Sequence, residues 1–516
     1  MNKSIILLSL VMLAACTDDE WPVNEEHAVE WVDAEFTDTL GCRYGVRWQT
    51  DNPFDTGERC FDAVGKRSLF GVGGMVSHSD FDRVYPWNSI RRCNVRRHDG
   101  RTIITYDDDP AFRTDGSQGD VFVRIPKFYV EKYVDGGYEY RVVSGKGERP
   151  HPAFIENGHE LDAVYVSAFE GYIGPDSLLR SLAGVIPTTN ITAQQFLEAA
   201  QRRGPQYTLY DMRTVDLLFS LIAVEYGCRN TSAVFGHGIA DYRQPLEEEW
   251  DSDRCYLSIY NHHNTNTITC GLQNRPLISV GSCVCICDSD QHNVLTYARC
   301  TDIKVTSRHT TYTFNGPPID INTHCFIGNC AQSTNWTETC SAPHHSPTGR
   351  ANIMEKHLNP RERNPMRYRW IENIVGNVWH FLPDVTFFNQ QMYVCSNMDK
   401  YRFGSYDEGY EAYGATFSEN TDNSVLRDEP YLNYWVTTLM PDDDGKGVSM
   451  GNSYDRSLLS THAFGAYYYV KDGLNIVANG GGFDHRFRCN LLTSRAWISP
   501  QRRWFLYGAR LLFKDI

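Results

Sequence analysis

The sequence predicts an α+β protein. Three observations carry that expectation: two capped segments with helical period in the middle of the chain, short β-like runs on either side, and a long stretch with neither period. Residues 44–150 read as β-rich. Runs such as Val121-Phe122-Val123-Arg124-Ile125 and the stretch 127–134 are broken by turn clusters, and Asp135-Gly136-Gly137 joins the latter to Tyr138-Glu139-Tyr140-Arg141-Val142-Val143 as a hairpin. The first helix is predicted after Thr192, which with Gln195 makes a capping box; Phe196, Ala199 and Ala200 form its apolar face, and Gly204-Pro205 ends it. The second is predicted with Thr214 as cap, Leu217, Leu218, Leu221, Ile222 and Val224 as apolar positions, and Gly227 as stop. Being apolar nearly all round, it is expected in the core.

Residues 241–361 change texture to Thr, Asn, His, Cys and Gly with few apolar repeats, which reads as an insertion of loops and short strands. Short β-like segments return at Tyr368 and continue to Phe513. The expected organisation is a leader over 1–15, an acidic tether over 16–43, a β-rich region over 44–150 and a main domain over 151–516 that carries the insertion.

The 516 residues include 49 basic and 64 acidic side chains, a net charge of −15. That balance, without a long basic run, argues against a nucleic-acid partner. The only long apolar run, residues 5–15, is too short to span a bilayer. Lys3 precedes it and Leu13-Ala14-Ala15-Cys16 closes it, so the start resembles the signal peptide and lipobox of bacterial lipoproteins; the alternative is an ordinary secretory signal with a cysteine at its end. The lipoprotein resemblance implies that Cys16 becomes an acylated N-terminus, carrying palmitate among its chains and holding the protein at a membrane. Thr17-Asp18-Asp19-Glu20 resembles the export signal of surface-exposed Gram-negative lipoproteins, which implies an outer-membrane location facing outward. Of the 16 cysteines an odd number remains once Cys16 is set aside. Export permits disulfides, so pairs are expected, chiefly within the crowded stretch from Cys255 to Cys340, with at least one thiol left over, for which Cys489 is the candidate.

Few residues form a chemical signature. In Cys283-Val-Cys285-Ile-Cys287 the sulfurs share one face of a strand, and a soft-metal site with Cys300, His309, Cys325 or Cys330 stands beside disulfides or free thiols as a reading. The paired Cys-x-x-Cys spacing of structural zinc sites is absent, so no metal is expected. His262-His263 and His344-His345 point apart on an extended chain and read as solvated loop residues. Gly71-Val-Gly-Gly-Met75 lacks the lysine and hydroxyl of a phosphate loop, and no Gly-x-Ser-x-Gly elbow occurs. Neither a cofactor nor a catalytic group is expected.

Several stretches in order are more specific: Ala168-Phe-Glu-Gly-Tyr172, Leu179-Arg-Ser-Leu-Ala-Gly184, Pro187-Thr-Thr-Asn-Ile-Thr192, Tyr207-Thr-Leu-Tyr-Asp211, Trp370-Ile-Glu-Asn-Ile-Val-Gly-Asn-Val-Trp379 and Tyr507-Gly-Ala-Arg-Leu-Leu-Phe513. Over residues 85–513 this succession resembles the C-type-lectin-fold proteins of phage tails, prophages and bacterial surfaces whose C-termini are varied by diversity-generating retroelements. The Gly376-Asn-Val-Trp379 element also resembles formylglycine-generating enzymes of the same fold. The resemblance implies a compact domain of two helices on small antiparallel sheets with long insertions, and these motif residues as core and turn.

The resemblance further implies that residues of about 480–510 line a ligand-binding surface. The candidate positions are Phe483, His485, Arg486, Arg488, Asn490, Thr493, Trp497, Arg502, Arg503 and Trp504. Aromatic and arginine side chains are the types that dominate binding hot spots; the alternative is a final β-hairpin with ordinary surface residues. The implied partner is a protein or glycan on another cell, a host or a phage. The enzyme branch binds metal through paired C-terminal cysteines, whereas residues 396–516 here hold only Cys489. The Glu-Pro-Asn calcium motif of sugar-binding lectins is absent as well.

Overall fold

The structure is a computed structural model. It describes residues 39–516 except 50–51, 53–54, 72–76, 241–255, 274–277, 289–292, 336, 338–346, 351–363, 390, 414–433, 437–465, 469–472 and 484–488. The leader, Cys16, nearly all of the tether and the His344-His345 pair lie outside the described residues.

β-structure dominates, at 42% strand against 12% helix. The described α-helices are α1 (Ala193–Gln201), α2 (Met212–Tyr226) and the short α3 (Thr231–Phe235). The α+β expectation is thereby corrected: the protein is nearly all sheet. Both predicted helices form, so the misjudgement lies elsewhere. Residues 267–329 build a five-stranded antiparallel sheet, Thr267–Gly271, His309–Phe314, Val294–Val305, Cys283–Cys287 and Phe326–Asn329 in spatial order. Its strands are rich in threonine, which suits a pleated surface as a β-branched residue but leaves a weak hydrophobic period.

Helix α1 has the predicted capping box, with the Gln195 amide and the Thr192 hydroxyl capping each other's backbone. Helix α2 begins earlier than expected. Its cap is Asp211, whose carboxylate accepts from the Thr214 amide at 2.8 Å and the Thr214 hydroxyl at 2.5 Å, so Thr214 lies inside the first turn. A carboxylate competes well for this position beside exposed amide donors. Gly227 ends the helix in the left-handed conformation, at φ 62°.

The strands before residue 150 do not form a separate unit. Arg91–His98, Arg101–Tyr106 and Asp120–Pro126 share a six-stranded sheet with Ala163–Ser167, Tyr207–Leu209 and the C-terminal Leu511–Phe513. Residues 39–516 make one compact unit. Both faces of this sheet are covered, because Val121, Val123 and Ile125 enter one core and Phe122 the other. The first core packs α2 against a four-stranded sheet that includes Arg43–Gln49 and the predicted hairpin Tyr129–Asp135 to Tyr138–Ser144. The second packs α1 against the sheet of Trp379–Phe388 and Leu474–Asn479.

No disulfide joins the described cysteines to one another, and most of them are buried. The expectation of disulfide staples is not met among the described residues, while Cys255 and Cys340 fall outside them. The insertion has an apolar core of its own, in which Cys270, Cys300 and Cys325 pack with Ile268, Tyr312 and Phe326. Cys283, Cys285, Cys287 and Cys330 face the other way, into the second main core. The candidate soft ligands are therefore divided between two sides of one sheet, and no group of three or more His, Cys, Asp or Glu among the described residues is arranged to hold a metal. Buried thiols of this kind act as small apolar side chains.

Candidate functional site

Four of the six motif stretches, distant in the chain, converge on one buried guanidinium. Arg510 is fully buried and donates to the Ser167 carbonyl at 2.8 Å, the Glu372 carbonyl at 2.5 Å and the Asn373 carbonyl at 3.1 Å. Backbone bonds reinforce the junction: Gly171 donates to Ala509, Tyr210 to Arg510 and Glu372 to Ala168, each at 2.8 Å. Residues 168–172, 207–211, 370–379 and 507–513 are thereby tied at a single node.

Turn chemistry in 370–379 makes this possible. Asn373, Gly376 and Asn377 have φ of 50°, 77° and 61°, a region that asparagine and glycine tolerate best. A side chain at Gly376 would come within 2.7 Å of the Ile239 backbone, so glycine is required there. The turn aims the Asn373 and Asn377 amides at Glu170, at 3.1 and 2.5 Å, while Asn377 also exchanges bonds with the Gln332 backbone.

The node is rich in buried acid. Burial pushes the Glu170 carboxyl up to about 7, against the pull of Arg510, of the Asn377 and Asn373 amides and of the Val378 backbone. Glu372 is also pushed up to about 7 by burial, although Thr337 and Asn335 donate to it, and the neighbouring Glu170 adds to the rise. Burial, helped by Arg510, holds His380 well below its ordinary value, so its ring is neutral. Its Nε2 lies 3.6 Å from Glu170 Oε1, and its ring centroid is 6.0 Å from that of Tyr210.

These shifts give a pH dependence of definite sign. In Glu170, Glu372 and Asp384, the last raised to about 7 by burial and the nearby Asp211, the folded state binds protons that the unfolded state has released. Their stabilising contribution is complete below the ordinary carboxyl range and is lost as pH rises through about 7. Asp211 and Asp216 are depressed despite their burial, Asp211 chiefly by Lys514 and Asp216 chiefly by Arg141, so their contribution is lost as pH falls below 3.8. The melting temperature is expected to be highest on the mildly acidic side and to fall toward neutral pH. Glu170→Gln or Glu372→Gln should flatten that fall; an unchanged slope in calorimetric scans of both variants would refute the assignment.

The predicted recognition segment grows directly from this node. Leu474–Asn479 pairs with Trp379–Phe388, with Asn479 opposite His380. Gly480 then donates to Thr493 and accepts from Gly376, and the Phe483 amide donates to Asn377 at 2.9 Å. Gly481, at φ 86°, leaves no room for a Cβ against Cys489.

The candidate residues separate into three groups. Phe483, Asn490 and Thr493 are buried, which corrects their expected place on an exposed surface. Asn490 accepts from the Thr231 hydroxyl and donates to that of Ser232, both at 2.9 Å, and so fastens the segment to α3. Thr493 accepts from the Asn479 amide at 3.0 Å through its carbonyl. These positions are frame, because a loop that leaves and re-enters a core must satisfy its backbone where it crosses. Arg502, Arg503 and Trp504 reach the surface, Arg503 fully and the other two in part, with the Arg502 guanidinium 5.3 Å from the Trp504 ring. His485, Arg486 and Arg488 lie outside the described residues, as does the side chain of Trp497 on strand Ser494–Ile498. Cys489 is buried, and its thiol donates to the Gly482 carbonyl at 3.4 Å.

Reading the motifs only as core and turn missed Glu170, Glu372, His380 and Arg510. The available signal was a charged residue flanked by apolar ones, as in Ala-Phe-Glu-Gly and Gly-Ala-Arg-Leu-Leu. Buried charges need partners, and the partners lie in the other motifs. No protein-family model matches the sequence, and no curated protein is significantly similar to it.

Proposed function

We propose that this is a binding protein of the cell surface, held by lipid on Cys16 at the outer membrane, which presents the segment of about 480–510 to a protein or glycan on another cell, a host or a phage. The observation that supports it is the pairing of a rigid frame with an outward edge. Phe483, Asn490 and Thr493 are buried before the segment's strand, Tyr507 and Arg510 are buried after it, and Arg502, Arg503 and Trp504 come to the surface between them. A recognition loop gains affinity when its flanks are already ordered, because less conformational freedom is lost on binding. The order of the motifs, which resembles that of retroelement-diversified surface proteins, supports the same reading.

The test replaces Arg486, Arg488, Arg502, Arg503 and Trp504 by alanine and compares cell adhesion and pull-down with the parent. Loss of at least tenfold in apparent affinity is expected, the worth of one or two hot-spot side chains at about 1.4 kcal/mol per decade. Unchanged binding in a variant with the parent's melting temperature would refute the site. Labelling with radioactive palmitate tests the anchor separately: label should follow the parent and be absent from Cys16→Ala.

A further inference from the structure

The motif node contains more polar atoms than the protein itself satisfies. Glu170 Oε1, Tyr210 Oη, Asn373 Oδ1, His380 Nδ1 and Nε2, and Arg510 Nε are all buried and lack a partner at hydrogen-bonding geometry. They are neighbours. Asn373 bonds Glu170 through its amide, Glu170 lies 3.6 Å from His380, the His380 ring meets that of Tyr210 edge-on, and Arg510 bonds the Asn373 carbonyl. Buried polar atoms are almost always partnered, so one or two orphans are ordinary, but six on five adjoining residues mark an occupied space.

The signs of the six decide the occupant. Arg510 Nε only donates, Asn373 Oδ1 only accepts, the Tyr210 hydroxyl does both, and a neutral imidazole offers one donor and one acceptor. A cation needs acceptors alone and would lie beside a buried guanidinium. An anion needs donors alone and would face the oxygens of Glu170 and Asn373. Water meets both kinds at once. We propose that the node encloses a chamber of ordered water bridging Glu170, Tyr210, Asn373, His380 and Arg510. Buried waters make about three hydrogen bonds each, so six atoms call for about two molecules. The waters complete the junction between the motif stretches, and through His380 they support the strand pair from which residues 480–510 emerge.

Two measurements on the full chain test this. A crystal structure that resolves solvent should show two or more peaks within about 3.2 Å of at least three of the six atoms. Direct bonding of His380 to Glu170 or Tyr210 with no intervening density would overturn the proposal, and so would a peak with anomalous signal and metal-like contacts. In solution, oxygen-17 relaxation dispersion should detect long-lived internal water in the parent and less of it in His380→Met, whose side chain fills the space. If that variant does not fold, Tyr210→Phe serves: it removes one bond and should leave both crystallographic peaks in place. An equal water signal in parent and a folded His380→Met variant would count against the chamber.

Discussion

Arg510→Met is expected to lower stability by about 3–5 kcal/mol, the scale seen when one partner of a buried charge cluster is removed. Methionine fills much of the volume, so the loss would be electrostatic rather than a cavity. It would leave the Ser167, Glu372 and Asn373 carbonyls without their donor and would remove the cation whose charge pulls Glu170 down. At about 2 °C per kcal/mol for a large domain, the melting temperature should fall by roughly 6–10 °C. Arg510→Lys keeps the charge but cannot reach three carbonyls in a fork, so its loss should lie between parent and Arg510→Met. Denaturant titration of the three proteins decides. Equal stability of parent and Arg510→Met would mean that the node is incidental to the fold.

Lys514→Met is expected to cost as much, about 3–5 kcal/mol. Its side chain is wholly buried, with Nζ 2.8 Å from Glu156 and 3.3 Å from Asp211. Arg213 serves the same two carboxylates at 3.1 and 3.3 Å, and its guanidinium donates to the Tyr401 hydroxyl at 2.6 Å. Removing Lys514 leaves two buried acids to share one cation, and Asp211 is also the cap of α2. The variant should lose stability most above the ordinary carboxyl range, where Asp211 is ionised beside Lys514 in the parent, and approach the parent in acid. A loss that does not depend on pH would point to packing instead of charge. Thermal scans at pH 2 and pH 8 separate the two.

Much of the local structure is legible in the sequence because the interactions that set it are local. The Thr192–Gln195 box, the Gly227 stop and the Gly136-Gly137 turn all involve residues within a few positions of one another. The α2 start was misplaced by three residues because Asp211 and Thr214 are both good caps. The Asp384 carboxylate decides the position, accepting from the Met212 amide at 2.9 Å from a strand far along the chain. The insertion forms short strands as expected but joins them into a five-stranded sheet that the sequence does not reveal, because threonine and cysteine carry the strands and a hydrophobic period reports poorly on them.

The recognition segment shows the same division. Its residue types marked it as a surface in the sequence, but burial is a property of the finished fold, and only that separates Phe483, Asn490 and Thr493 from Arg502, Arg503 and Trp504. By itself the sequence determined the two principal helices, many strands, the net negative charge and the order of the motifs. Tertiary structure alone decided that four of those motifs meet at Arg510, that no disulfide joins the described cysteines to one another, and that strands before residue 150 share a sheet with Leu511–Phe513. The physical reason is range: caps and turns are chosen by neighbours in the chain, whereas a buried charge is defined by partners that arrive from hundreds of residues away.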